Sequence, residues 1–161
     1  MTIRIGERIP EAVLQYIDGR GIHKVDTHTL FDHRKLVLFS VPGAFTPTCS
    51  ERHLPSYVQH FDAFRARGIT LACMAVNDAF VMQAWGRAQG VPDGLLLLAD
   101  GNADFTRALG LEMDASGYGM GLRSKRFALY AENGIVKGLW VEAPGEYRVS
   151  SAEHVLAHLP D

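Results

Sequence analysis

Three stretches of the chain are almost continuously apolar: Lys35 to Val41, Ile69 to Val76 and Leu95 to Leu98. Runs of this length without polar alternation predict strands buried on both faces, as in a parallel sheet covered by helices. Between them the apolar spacing changes to three and four. Leu54, Tyr57, Val58, Phe61 and Phe64 form one stripe, and Val81, Ala84, Trp85 and Ala88 another, so each predicts a helix against the sheet. Pro55 lies inside the first of these helices and predicts a kink near Arg52 to Leu54, because it lacks a donor and crowds the carbonyl four residues back. Arg65, Arg67 and Gly68 close that helix, Asn77-Asp78 caps the second, and Ala103 to Leu109 makes a short third ended by Gly110.

The two ends of the chain read differently. Residues 12–18 and 23–31 flank Gly19-Arg20-Gly21 and predict a hairpin. Asn133-Gly134 predicts a second hairpin, joining a strand over 124–130 to one over 135–142. Ser150 and Glu153 have the spacing of a capping box for a last helix with Val155, Leu156 and Leu159 inward. Parallel crossovers followed by an antiparallel pair predict a three-layer α/β sandwich with a mixed central sheet and an extra N-terminal hairpin. That order is compatible with a thioredoxin-like fold in one domain over 1–161.

Composition narrows the class of protein. A chain of 161 residues buries roughly 70% of its unfolded surface in one core. The 47% hydrophobic and 21% charged content is ordinary for a globular protein, and a net charge of −2 gives no reason to expect nucleic acid or an anionic membrane as partner. The first residues lack the features of a signal peptide and no stretch approaches a membrane span, so a cytoplasmic location is expected. Two cysteines, Cys49 and Cys73, are too few for a disulfide framework and form no Cys-x-x-Cys pair. The glycine-rich segment Gly117 to Gly121 precedes a strand and lacks a following Gly-Lys-Ser/Thr, which argues against a phosphate loop.

The chemistry concentrates where the first apolar run ends. Val41-Pro42-Gly43-Ala44-Phe45-Thr46-Pro47-Thr48-Cys49-Ser50-Glu51 passes from strand to helix, and Thr48 with Glu51 has capping-box spacing that puts Cys49 in the first helical turn. Free amides and the positive end of the helix favour a thiolate there, lowering the expected pKa below the free value of about 8.5. A lone cysteine is often a small buried hydrophobe. This one has two threonines, a serine, a glutamate and Arg52 for neighbours, the setting of a nucleophile.

The pattern Pro42-x-x-x-Thr46-x-x-Cys49 resembles the active-site motif of the peroxiredoxins, and the string Pro42 to Ser50 is similar to their type-II, or peroxiredoxin-five, subclass. The resemblance implies a thioredoxin-like fold, a homodimer, and a thiol peroxidase without metal or prosthetic group. Such an enzyme reduces hydrogen peroxide and organic hydroperoxides to water and alcohols through a sulfenic acid at Cys49. It maps the family's arginine onto Arg126, which would lie near Cys49 if residues 125–131 run antiparallel beside 35–41. An arginine suits the role, since it stays charged while stabilising the departing oxygen. The resemblance also gives Thr46 a hydrogen bond to the peroxide or thiolate, Pro42 a shielding role, and the amides from Gly43 to Thr48 and Cys49 a peroxide cradle. His53 and Glu51 match the subclass and are expected to order the surroundings of the cysteine.

Cys73 reads as core filling between Ala72 and Met74, but some type-II members carry a resolving thiol at the matching position. Resolution would bring α-carbons within about 7 Å, which a strand interior and a helix start rarely achieve. The other location for a resolving cysteine, Glu146 to Ser151, has none. The expected cycle therefore uses one cysteine, with glutathione and glutaredoxin, or thioredoxin, as reductant. A non-enzymatic peroxide sensor or redox-triggered binding protein is the alternative. His154 and His158, four apart, make a poor metal site without a third ligand. A cysteine phosphatase lacks its Cys-x5-Arg loop.

Overall fold

The computed structural model describes residues 1–160. In chain order its elements are β1 (Val13–Asp18), β2 (Gly21–Asp26), α1 (Thr27–Phe31), β3 (Lys35–Val41), a π-helical turn (Cys49–His53), α2 (Leu54–Gln59), α3 (Phe61–Ala66) and β4 (Ile69–Ala75). They continue as α4 (Ala79–Ala88), β5 (Leu96–Ala99), α5 (Asp104–Leu109), β6 (Glu112–Asp114), a 3-10 turn (Ser116–Tyr118), β7 (Leu122–Ser124), β8 (Phe127–Glu132), β9 (Ile135–Val141) and α6 (Ala152–His158).

Seven strands form one mixed sheet in the order β2-β1-β5-β4-β3-β8-β9, with β6 and β7 paired separately. The three apolar runs are the parallel centre: β3 pairs with β4 and β4 with β5. β8 runs antiparallel to β3, and the N-terminal hairpin extends the far edge, β1 pairing antiparallel with β5. Side chains of β3 alternate between two cores. Val37, Phe39 and Val41 meet Leu54, Tyr57, Phe64, Met82, Trp85 and Val155, from α2, α3, α4 and α6. Leu36 and Leu38 meet Phe31, Phe105 and Leu109, from α1 and α5, on the other face. Two cores on opposite faces of one sheet make the three-layer sandwich that the sequence predicts. The turn between β8 and β9 holds Asn133 and Gly134 at φ 49° and 80°, the doubly left-handed geometry that an Asn-Gly pair favours.

Several boundaries differ from the sequence reading, each for a local reason. The strand expected over 23–31 stops at Asp26, whose carboxylate accepts from the Thr29 amide and hydroxyl and starts α1 instead. The last helix is capped by Ser151, which accepts from the His154 amide, and not by Ser150. α4 buries Ala79, Met82, Trp85 and Gly86, so its inner face is rotated from the expected stripe and Ala84 and Ala88 are exposed. A side chain at Gly86 would collide with Leu97, and this close approach to β5 turns that face inward. The strand expected over 124–130 is interrupted at Lys125-Arg126, between β7 and β8.

Candidate active site

The helical segment after β3 begins at Pro47, two residues before Cys49, and its first residues explain the local geometry. Thr48 is already helical (φ −64°, ψ −37°) with no side-chain cap, so the capping box expected from Thr48 and Glu51 does not form. Thr46 precedes the first turn, its carbonyl accepting from the Ser50 amide, and Pro47 takes the first helical position, where a missing donor costs nothing. Pro55 cannot donate to the Glu51 carbonyl and crowds it, and the turn ahead opens to π geometry: the Leu54 amide bonds the Cys49 carbonyl, five residues back. The expected distortion over Arg52 to Leu54 is thus a widened turn that starts at the cysteine itself.

Cys49 is fully buried. Arg126 Nη2 donates to its Sγ at 3.1 Å, across 77 residues of chain. The antiparallel pairing of β8 with β3 makes this meeting, since Ser40 lies opposite Phe127 and puts Arg126 beside the end of β3. The other arm of the guanidinium, Nη1, donates to His53 Nδ1 at 2.9 Å, so one planar fork spans both groups. Arg126 has only donors, so His53 Nδ1 is unprotonated, and its Nε2–H donates to the Ser150 carbonyl at 3.0 Å. Burial, together with the Arg126 charge beside it, lowers the His53 pKa to about 3.

The remaining candidates fall around this pair unevenly. Pro42, Thr46, Thr48 and Arg126 line a cavity of about 490 Å³ whose other walls include Met113, Tyr118, Met120, Glu142 and Pro144. Thr46 Oγ1 donates to the Gly43 carbonyl at 2.6 Å and not to the sulfur, which leaves its lone pairs for an incoming O–H. Gly43 is buried behind the cavity, where a side chain would strike Arg123 Nη1. Glu51 is exposed and has no part in the arrangement, whereas His53 is central to it. Cys73 sits in β4 opposite Phe39, fully buried and free. Burial first, and the charge of Cys49 second, push its thiol well above the ordinary range. Among the described residues no group of three metal ligands occurs. A smaller cavity of about 260 Å³, lined by Arg8, His28, Asp32 and Asn133, lies at the far end of the sheet and holds no cysteine.

Four residues that the sequence did not mark for the site complete it, Asn77 and Ser150 having been read there only as helix caps. Arg123 donates to the Pro42 carbonyl (3.1 Å) and the Met120 carbonyl (3.0 Å), tying the glycine-rich segment to the cysteine loop. Asn77 Oδ1 accepts from the Ala44 amide and holds the other side of that loop. Ser150 presents its carbonyl to both His53 and Tyr57. Glu142, only 6% exposed, accepts from the amides of Arg148, Val149 and Ser150 and from the Ser150 hydroxyl. The one trace of Glu142 in the sequence is a lone carboxylate directly after the apolar run of β9.

Comparison with known proteins bears on the family and the fold. Residues 4–156 match the redoxin family model. Peroxiredoxin-2E-2, chloroplastic, from Oryza sativa subsp. japonica is 48% identical, covering 98% of this chain and 73% of its own. A peroxiredoxin of a Synechocystis species is 42% identical over 95% of this chain and 89% of its own. The crystal structure of reduced Prx3 in complex with H2O2 from Vibrio vulnificus superposes with a TM-score of 0.93 at 51% identity, covering 97% of this chain and 98% of that one.

Proposed function

Because the chain belongs to the redoxin family and, like its type-II relatives, is a peroxiredoxin and thus a thiol peroxidase, we propose that Cys49 is its reacting sulfur and Arg126 the charge that drives the reaction. The observation that carries this reading is the 3.1 Å contact between Arg126 Nη2 and Cys49 Sγ. The thiolate attacks the terminal oxygen of a hydroperoxide. An S–O bond forms as the O–O bond breaks, the attacked oxygen keeps its proton in the sulfenic acid, and the other oxygen leaves as hydroxide or alkoxide and takes a proton from solvent. Negative charge moves from sulfur to oxygen, and a guanidinium already seated at the sulfur stabilises it without changing its own protonation. Thr46 accepts the peroxide O–H, and Pro42 with Thr48 forms the near wall. The cavity is large enough for an organic hydroperoxide, with Met113, Met120 and Pro144 against its carbon chain.

The regeneration half of the cycle uses Cys49 alone, with glutathione and glutaredoxin, or thioredoxin, as reductant. The buried, protonated Cys73 supports this, because the thiol form is a poor nucleophile. A homodimer is the proposed assembly. Phe45 and Phe80 stay 56% and 64% exposed on segments joined by the Ala44–Asn77 bond, which supports a covered face beside the site. A cytoplasmic location is in keeping with two free cysteines and no disulfide.

Peroxide consumption measured with glutathione plus glutaredoxin, and separately with thioredoxin plus its reductase, tests these assignments together. Cys49→Ser is expected to abolish turnover with both, while Cys73→Ala retains it. Turnover that survives in Cys49→Ser refutes the choice of sulfur. Loss of turnover in a folded Cys73→Ala refutes the one-cysteine cycle.

A further inference from the structure

We propose that Glu142 is a positioning residue for the peroxidase reaction: it clasps the strap 143–150 so that the Ser150 carbonyl holds His53 in the tautomer that orients Arg126 on Cys49. The proposal rests on Cys49 being the reacting sulfur.

The bonds form a closed circuit that begins and ends at Arg126. The Glu142 amide donates to the Arg126 carbonyl at 3.0 Å, continuing the β8–β9 ladder by one residue. The Glu142 carboxylate takes the Ser150 amide and hydroxyl at 2.8 and 2.7 Å, with the Arg148 and Val149 amides at 2.9 and 2.8 Å. The Ser150 carbonyl then faces His53 Nε2, and His53 Nδ1 faces Arg126 Nη1. Each link constrains the next. A carbonyl can only accept, so Nε2 must carry the proton; Nδ1 is therefore a lone pair, and a lone pair can hold one arm of the guanidinium while the other stays on the sulfur.

Glu142 is not needed to neutralise a cation in this circuit. No Lys or Arg side chain lies within ion-pair distance of it among the described residues, and its partners are three backbone amides and a hydroxyl. Burial pushes its pKa up, but the donors together outweigh that and hold it below the usual carboxylate value, so the clasp is ionised at neutral pH. Tyr57 shares the Ser150 carbonyl at 2.8 Å and Tyr147 packs edge-on against His53, so the strap and the imidazole move as one unit. Without the carboxylate, three amides lose their acceptor together, and the Ser150 carbonyl is freed to leave the ring.

The test joins a spectroscopic measurement to a double-mutant cycle. Two-bond 1H–15N spectra of the reduced wild-type protein should show His53 protonated at Nε2 alone; protonation at Nδ1 overturns the proposal. Glu142→Ala should give mixed His53 tautomers and slow sulfenic acid formation by about 10- to 100-fold, with Glu142→Gln intermediate because an amide oxygen still accepts. In a His53→Ala background the Glu142→Ala change should have little additional effect on that rate, because the route through the imidazole is already gone. An equal loss in both backgrounds, or a wild-type rate in folded Glu142→Gln and Glu142→Ala, overturns it. Cys49→Ser, run alongside, separates failure of this proposal from failure of the sulfur assignment: only the latter leaves Cys49→Ser active.

Discussion

Arg126 does two things with one planar group, and lysine cannot reproduce both. Nη1 and Nη2 reach His53 and Cys49 at 2.9 and 3.1 Å, a fork that a single ammonium cannot span with its orientation fixed. Arg126→Lys is therefore expected to keep the positive charge yet slow oxidation of Cys49 by about 100-fold or more, the usual effect of removing one oriented donor. Stopped-flow oxidation under single-turnover conditions checks this, and a near-normal rate would show that charge alone suffices. Thr46 gives a contrasting case. Its hydroxyl proton is committed to Gly43, so Thr46→Ser should retain most of the rate whereas Thr46→Val, with no lone pair to offer, should not. The partnership of Arg126 with Cys49 was legible through the family resemblance, given an antiparallel pairing of 125–131 with 35–41; its partnership with His53 was not, because a histidine early in a helix has many ordinary uses.

At the scale of elements, the π-helical turn links the site to the rest of the fold. Trp85 on α4 donates from Nε1 to Ser50 Oγ at 2.9 Å, next to Cys49 and inside the widened turn. Oxidation of Cys49 should therefore change the Trp85 emission. Trp140→Phe, which leaves Trp85 alone, should keep the fluorescence change on adding peroxide, and Trp85→Phe should lose it. A helix terminus on the opposite face of the sheet from α2 provides a control for stability without chemistry. Gly110 closes α5 at φ 72°, and a side chain there would run into the Met1 carbonyl, displacing the N-terminal segment. Gly110→Ala should cost more than about 1 kcal/mol in urea unfolding while leaving the oxidation rate unchanged. Apolar spacing located most of these elements, since periodicity follows directly from backbone geometry. Their ends were less legible: Asp26 and Ser151 each took a cap that spacing alone gave to a neighbour or missed, and the helix after β3 starts without the cap expected of Thr48.

For the molecule as a whole, the buried imidazole ties stability to pH. His53 is neutral in the folded state down to about pH 3, whereas in the unfolded chain it takes a proton below about pH 6.5. Between those values the unfolded state binds the additional proton, so stability falls as pH drops from 6.5 toward 3. Glu142 acts in the same direction at lower pH, because its lowered pKa means that stability is lost as the pH falls through the carboxylate range. Unfolding free energies from urea titrations at pH 7 and pH 5 should differ by about 2 kcal/mol from His53 alone, and His53→Phe should remove that difference even if it lowers stability at both. The sequence by itself determined the layers, the order of elements along the chain and the cysteine that stands at the strand-to-helix junction, because apolar period and a strand-to-helix turn are local properties of consecutive residues. Only the tertiary structure decided which carboxylate, carbonyl and imidazole stand behind Arg126. Those groups and Arg126 are 8 to 97 residues apart in pairs and meet through the pairing of β8 with β3 and β9 and the return of the strap onto Glu142.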